Sequence, residues 1–303
     1  MIKTRRLFLA VCMFFLIGVG AVSAESETVG VGLYLINIGN YDISKGTYTA
    51  DFYIYFNCTQ NCSASTNFEF INGRADSIDP NDILANEHYY RVYASLLSPV
   101  DLRKFPFDIQ KFNILIEDKR RTTDELVYVP LIDKSSVDEG ITATGWKVVN
   151  WSVTAKDHYY AVYDETYSQY VFTMTMSRTI LSSVLKTFLP VVFIILIVLF
   201  SYILGLDQLP NQLTLIGSGL VAAVMFHVSI SNDLPPLGYL TFADKFMILT
   251  YFVLLSTMII SIILLVLLEH KKRKLASRIH KITELAVWII VPAIYYILFN
   301  FFL

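Results

Sequence analysis

The chain has 303 residues, 54% of them hydrophobic and 17% charged, with a formal net charge of −2. With a mean hydropathy of +0.51 it is too apolar for an ordinary water-soluble protein, and no nucleic-acid partner is implied. The apolar residues are unevenly spread: residues 25–180 are polar and Tyr-rich, whereas 181–303 are dominated by Leu, Ile, Val and Phe, so two domains are expected.

Residues 1–24 have the form of a cleavable signal peptide. Lys3, Arg5 and Arg6 precede an apolar stretch, and Ala21-Val22-Ser23-Ala24 offers small residues for cleavage. An uncleaved anchor helix is the rival reading, and either one exports the chain from residue 25 onward. Export agrees with the cysteines: beyond Cys12, Cys58 and Cys62 stand close together and are expected to form a small disulfide loop. With no His beside them they are a poor zinc site, so a structural staple is the reading, and no metal or cofactor is expected. Asn57, Asn61 and Asn150 lie in N-x-[ST] sequons, a common chance pattern. Residues 25–180 hold 21 Asp and Glu against 13 Lys and Arg, a net −8. That charge is either a solvated surface or, in a ring of several copies, a field that concentrates cations at an entrance.

Within the exported part, 29–38 and 47–56 are rich in strand-forming residues and flank a turn-like 39–46. Further strands are expected at 88–98, 111–118, 125–131, 146–155 and 169–178. No stretch shows a sustained helical period, so an all-β extracellular sandwich is predicted for 25–180. It is followed by an all-α four-helix transmembrane domain, 181–303, with spans at about 183–204, 211–231, 245–268 and 285–303. Lys271, Lys272, Arg273, Lys274, Arg278 and Lys281 crowd the third connection, 269–284, which is therefore cytoplasmic. The exported domain and the C-terminus then lie outside, in a multi-pass protein of the cell membrane, with the lipid bilayer as one partner.

The second span is unlike the others. Thr214, Ser218, Val221, Ala222, Met225, Ser229 and Asn232 follow one another at spacings of four, three, one, three, four and three, which wind into a single stripe. Its back face is read as Leu213, Leu215, Ile216, Leu220, Val224 and Phe226. Hydroxyls facing lipid would be poorly solvated, so the stripe should face protein or water. One possibility is a helix-packing face built on Gly217, Ser218, Gly219, Ala222 and Ala223. The other is a pore, in which Thr214 and Ser218 offer hydroxyls near the cytoplasmic end and Val221 with Met225 forms an apolar constriction. His227, alone on this span, is either a proton sensor or bonded to a neighbouring helix or loop, the second being favoured.

The run Ser98-Pro99-Val100-Asp101-Leu102-Arg103-Lys104-Phe105-Pro106-Phe107-Asp108-Ile109-Gln110 resembles the signature loop of pentameric ligand-gated ion channels, the Cys-loop receptor superfamily. It is joined by Arg178 just before the first span, Pro190 inside that span, Leu234-Pro235-Pro236-Leu237-Gly238-Tyr239 after the striped helix, and Thr144-Gly145-Trp146 opening a late strand. The resemblance covers most of 29–303 and implies a homopentamer that conducts ions around the second span in response to an unknown small-molecule or ionic agonist. Two cysteines that bracket the loop in animal receptors are Ser98 and Phe112 here, and the third connection is short, both as in prokaryotic members. A Trp-x-Pro-Asp-like agonist motif is missing, and Glu117-Asp118-Lys119-Arg120-Arg121 stands where amine-binding relatives carry an aromatic residue, so an acetylcholine-type cage is not expected.

The same resemblance assigns roles residue by residue. Asp108 and Arg178 match positions that pair at the junction of the two domains. Phe105, Pro106 and Phe107 share the coupling loop, with Pro106 expected to stiffen it. Pro235, Pro236 and Tyr239 would receive its push, and Asp42 in the first turn is a further contact candidate. Tyr159, Tyr160 and Tyr163 occupy the position of the loop that caps an agonist, where they would cover a ligand or pack an interface. At the cytoplasmic mouth, residues 207–212 lack the Glu of cation-selective relatives and the Pro-Ala-Arg of anion-selective ones, although Pro210 stands at the matching proline. Asp233 and the acidic exported domain tilt the expectation toward cations. The alternatives are a non-conducting sensor or adhesion protein of the same topology and a membrane enzyme. The five histidines, His88, His158, His227, His270 and His280, form no metal-spaced cluster and accompany no nucleophile motif, so no enzyme is expected.

Overall fold

A computed structural model describes residues 26–59, 62, 67–141, 143 and 145–302. The expected signal peptide, 1–24, and Asn61, Thr144 and Leu303 lie outside the described residues. Among the described residues the N-terminal part is a β-sandwich of ten strands: β1 (Glu27–Asp42), β2 (Thr47–Cys58), β3 (Phe68–Phe70), β4 (Gly73–Ile83), β5 (Glu87–Leu97), β6 (Ile109–Asp118), β7 (Leu126–Pro130), β8 (Ser136–Val137), β9 (Trp146–Tyr160) and β10 (Glu165–Arg178). One sheet runs β4-β5-β2-β1-β7 with β8 also on β1, and the other runs β3-β6-β10-β9.

The period of two in the sequence builds this core. In β2, Tyr48, Ala50, Phe52, Ile54, Phe56 and Cys58 are buried at alternate positions, and in β10 so are Tyr170, Phe172, Met174 and Met176. The two apolar faces close on each other with Phe112, Ile114 and Ile116 of β6 between them. Cys58 and Cys62 are joined by a disulfide.

Three strands have no counterpart in the sequence expectation. β3 and β8 are too short to carry a pattern. β4, Gly-Arg-Ala-Asp-Ser-Ile-Asp-Pro-Asn-Asp-Ile, has no apolar alternation and contains Pro80. It is an exposed edge strand on β5, with register shifts between Ala75 and Ser77 and between Pro80 and Asp82, where a missing ladder donor is tolerated. β1 also extends through 39–42, so the turn is shorter than the expected 39–46, and β9–β10 pair as far as Tyr160 and Glu165.

Four helices follow: α1 (Ile180–Ser201), α2 (Leu209–Asn232), α3 (Phe242–Glu269) and α4 (Arg273–Phe302), each long and apolar enough to cross a membrane. α3 begins at a capping box in which the Thr241 hydroxyl accepts from Asp244 N and the Asp244 carboxylate accepts from Thr241 N. The largest departure is in α4, expected from 285 but starting at Arg273. The basic residues are good helix formers, so hydropathy marks the apolar window while the helix runs a further three turns into the charged segment. Only residues 270–272 separate α3 from α4.

Gly46 ties the first turn to the coupling loop. It has φ +68°, its carbonyl accepts from Ser98 N at 2.8 Å, and an added Cβ would stand 2.5 Å from the Ser98 carbonyl oxygen. Gly46→Ala is therefore expected to cost about 2 kcal/mol, read as a lower thermal midpoint of the sandwich by circular dichroism. An unchanged midpoint would show that the turn can relax.

Candidate functional site

The loop 98–108 leaves β5, crosses the boundary between sandwich and helices, and returns as β6. Its ends are held without a disulfide. Ser98 Oγ accepts from Asn113 N at 2.9 Å, while Phe112 packs edge-on against Tyr41 and Tyr48 with centroids 4.8 and 5.1 Å away. Asn72 bonds both sides, donating to Leu97 O and Asn113 O and accepting from Leu115 N.

Inside this frame Asp108 is buried and Arg178 donates from Nε to its Oδ1 at 2.6 Å. Gln110 Nε2 donates to the other carboxylate oxygen at 2.8 Å and to Asp101 O at 2.8 Å, so the loop folds over its own anchor. The Arg178 guanidinium lies between two rings, 4.9 Å from the Phe105 centroid and 4.5 Å from that of Trp146. Its Nη2 is buried with no partner among the described residues. Beside the pair, burial and then the nearby Asp108 carboxylate push the Tyr41 phenol up to about 12. The Phe105–Pro106 bond is cis.

The loop tip reaches the helices. Phe107 packs on Phe188 of α1, Phe242 of α3 and Phe299 of α4, with centroids 6.0, 5.7 and 6.2 Å away. The Phe105 carbonyl accepts from Ala243 N at 3.1 Å, in the first turn of α3. Tyr239, on the α2–α3 connection, accepts from Leu102 N at 3.0 Å and lies 5.2 Å under the Arg103 guanidinium. Pro235 is half-buried and Pro236 exposed. Asp42 stands apart from this cluster: it accepts from Ser44 N and Oγ and faces Lys45 at 3.7 Å, and the Ser44 hydroxyl chiefly holds its carboxyl below the usual range.

On α2, all seven stripe residues, Thr214, Ser218, Val221, Ala222, Met225, Ser229 and Asn232, are exposed in the single chain. Val221 and Met225 are 60% and 70% exposed, unlike Ile216 and Ala223 at 0%. The small residues divide between two faces. Gly219 packs on α1, where a Cβ would meet Val198 at 3.2 Å, while Gly217 has open space and lies beside Ser218. The expected back face needs correction: Ile216 is buried and Leu213, Leu220 and Phe226 are partly so, but Leu215 and Val224 are 39% and 46% exposed. The helix has a narrow buried seam and a broad open face. His227 bonds to α3 on both sides, Nδ1 to Tyr251 Oη at 2.9 Å and Nε2 to Asp244 Oδ1 at 3.0 Å.

A second polar cluster went unseen in the sequence. Glu117, buried at the end of β6, is met by His158 Nδ1 at 2.6 Å, by the Tyr160 hydroxyl at 2.9 Å and by Gln169 Nε2. Burial and then this carboxylate push the Tyr160 phenol up to about 12. Tyr160, Tyr163 and Tyr167 join Glu69, Glu117 and Lys119 around a cavity of about 200 Å³. Tyr159 turns away to donate to Asp164 at 2.8 Å. Only the structure shows this cluster, because its members come from three strands with no shared spacing.

No family model matches the chain. Two curated relatives do. The chain is 25% identical over 175 residues to a proton-gated ion channel of Gloeobacter violaceus, covering 58% of this chain and 48% of the relative. It is 27% identical over 186 residues to the pH-sensitive chloride channel 2 of Drosophila melanogaster, covering 58% of this chain and 35% of the relative. The chain thus spans about half the length, or less, of the relatives it matches. Both relatives are named as ion channels, and this chain has a β-sandwich preceding four apolar helices. The chain is a multi-pass membrane protein with its N-terminal domain outside.

Removing the charge of Asp108 leaves a guanidinium in place with no carboxylate. Asp108→Asn should cost about 3 kcal/mol. Asp51→Asn, which breaks the more exposed pair with Arg91 (2.7 Å), should cost under about 1 kcal/mol. Thermal midpoints of the two variants check the contrast; equal shifts would place the junction pair among ordinary surface pairs.

Proposed function

We propose that this chain is one subunit of a homopentameric ion channel in which the exported sandwich gates a pore lined by α2. One observation carries the reading: a membrane-spanning helix that turns Thr214, Ser218 and Ser229 away from its own bundle. Hydroxyls on that open face need water or protein. Five such faces around an axis supply a wet path, with Val221 and Met225 as its apolar constriction. Thr214 Oγ1 donates to Pro210 O at 3.0 Å within its own helix, and packing between helices accounts for Gly219 and Ala223, which are buried, but the exposed Ser218 and Ser229 are left without a role.

Gating follows as a two-state shift. A stimulus that repacks the sandwiches moves β6 and β10, and the Asp108–Arg178 pair holds those strand ends to one loop. Phe107 and Tyr239 pass the movement to the helices. Protons are the proposed stimulus. Both relatives are named for a response to protons or pH, and His158 with Glu117 and His227 with Asp244 are His–carboxylate contacts at 2.6 and 3.0 Å. The tyrosine-rich cavity over Glu117 makes Tyr160 and Tyr163 the residues of a ligand or proton site, with Tyr159 outside it. Cation selectivity is proposed from exposed Asp233 at the outer mouth and the −8 exported domain.

Recording from purified protein in planar bilayers while stepping the external pH tests the reading. Unitary currents that rise on acidification, with a reversal potential following the cation gradient, are expected. Silence at every pH would favour a non-conducting sensor. Val221→Ser should raise the leak at resting pH by wetting the constriction, and an unchanged leak would remove Val221 as the gate. Asp108→Ala should shift the activating pH and leave the reversal potential in place; an altered reversal potential would break this division of labour.

A further inference from the structure

The guanidinium of Arg178 is underused for its depth. Arg121 is buried to a similar extent, with 19% of its side chain exposed against 15% for Arg178. It donates from all three nitrogens, to Asp118 and Glu27. Arg178 donates from Nε alone, to Asp108. Among the described residues Nη1 forms no hydrogen bond and Nη2 is buried without one, so the end-on edge of the fork is unspent. A charged donor left unmet at this depth keeps a desolvation penalty that a bound acceptor would relieve.

Arg178 borders an open cavity of about 490 Å³ between the end of β1 and the start of β9, lined also by Ile38, Tyr41, Ile43, Ala143 and Trp146. Its walls are of two kinds. Ile38, Ile43, Ala143 and the Trp146 ring are apolar, while the Tyr41 hydroxyl and the Trp146 indole N–H form no hydrogen bond among the described residues. Burial keeps the Tyr41 phenol protonated at neutral pH, so it offers a further donor. The carboxylates close by are engaged elsewhere. Asp108 accepts from Arg178 and Gln110, and Asp42 from its own turn. This cavity is distinct from the one over Glu117: Arg178 pairs with Trp146 at one end of the β9–β10 ladder, and Tyr160 with Glu165 at the other.

We propose that this cavity binds an organic monocarboxylate with a short apolar or aromatic tail, its carboxylate on the Nη edge of Arg178 and its tail against Ile43, Ala143 and Trp146. A planar carboxylate matches the fork with two parallel bonds. The guanidinium already shares its charge with Asp108, so a monoanion balances the site, whereas a phosphate dianion would leave charge uncompensated. The apolar walls require carbon, and the Trp146 and Tyr41 rings suit a flat tail. A bound carboxylate would hold Arg178 from the side opposite Asp108 and so bias the junction between sandwich and helices. The site rests on the geometry of one chain and not on conduction, so a silent channel would leave it intact.

The full chain, purified in neutral detergent, is titrated with sodium benzoate and with benzamide, its neutral isostere, by isothermal titration calorimetry. Benzoate should bind more tightly by about tenfold or more. Arg178→Gln should bring benzoate down to the level of benzamide. Because that change also disturbs Asp108, two further variants leave the pair in place. Ala143→Phe fills the cavity, and Ile43→Asp sets a carboxylate on its wall. Each should weaken benzoate by about tenfold or more, with elution volume and circular dichroism unaltered. No binding of benzoate, equal affinity for benzoate and benzamide, or undiminished benzoate binding in both cavity variants would overturn the proposal. So would displacement of benzoate by equimolar inorganic phosphate, which would make an inorganic anion the ligand. Binding only to chains dissociated from their oligomer would place a neighbouring copy over the cavity and equally refute it.

Discussion

The Asp108–Arg178 pair is the contact on which the architecture turns. Both groups sit where a sandwich must meet a helical bundle, and neither could be buried alone without a penalty of several kcal/mol. The surroundings make the pair tolerable: Gln110 satisfies the second carboxylate oxygen, and Phe105 and Trp146 enclose the guanidinium. Because Asp108 immediately precedes β6 and Arg178 ends β10, adjacent strands of one sheet, the pair clamps the point at which that sheet meets the membrane domain. Everything below it is packing. Phe107 enters an aromatic cluster drawn from three helices, and the Phe105 carbonyl accepts from the first turn of α3. A shift of the sandwich therefore reaches α1, α3 and α4 by direct contact, and α2 through Tyr239.

Hydrocarbon imposes the second constraint. A helix in lipid satisfies its own backbone, so only side chains distinguish one span from another. α1 and α3 bury large apolar residues against the bundle, whereas α2 buries a thin seam containing Gly219 and Ala223 and leaves a polar-dotted face open. That asymmetry is a property of a single subunit and exists before any oligomer is invoked. A ring of copies gives the open face a physical environment.

Much of this was legible in sequence because its signals are local. Alternation in 47–56 and 169–178 marks buried strands, runs of about twenty apolar residues mark spans, and the spacing from Thr214 to Asn232 marks one helix face. The Asp108–Arg178 pairing was legible only through family resemblance, since seventy residues separate the partners. β4 was invisible because an exposed edge strand has no pattern to keep. The start of α4 was missed because hydropathy reports lipid contact and not helicity. Glu117, His158, Tyr160 and Gln169 come from three strands, and no spacing announces that they meet. Asp42 illustrates the converse: resemblance placed it at the junction, while its own turn supplies nearer partners in Ser44 and Lys45.

The central claim, that the junction transmits gating through Asp108 and Arg178 as one unit, is tested most directly by a double-mutant cycle on channel activation. The activating pH would be measured for the unmodified channel, Asp108→Asn, Arg178→Gln and the double variant. The account predicts strong coupling, with the double variant shifted little further than either single one and an interaction energy above about 1 kcal/mol. Shifts that simply add would contradict it, because they would mean that each residue acts on gating through partners other than the one it touches.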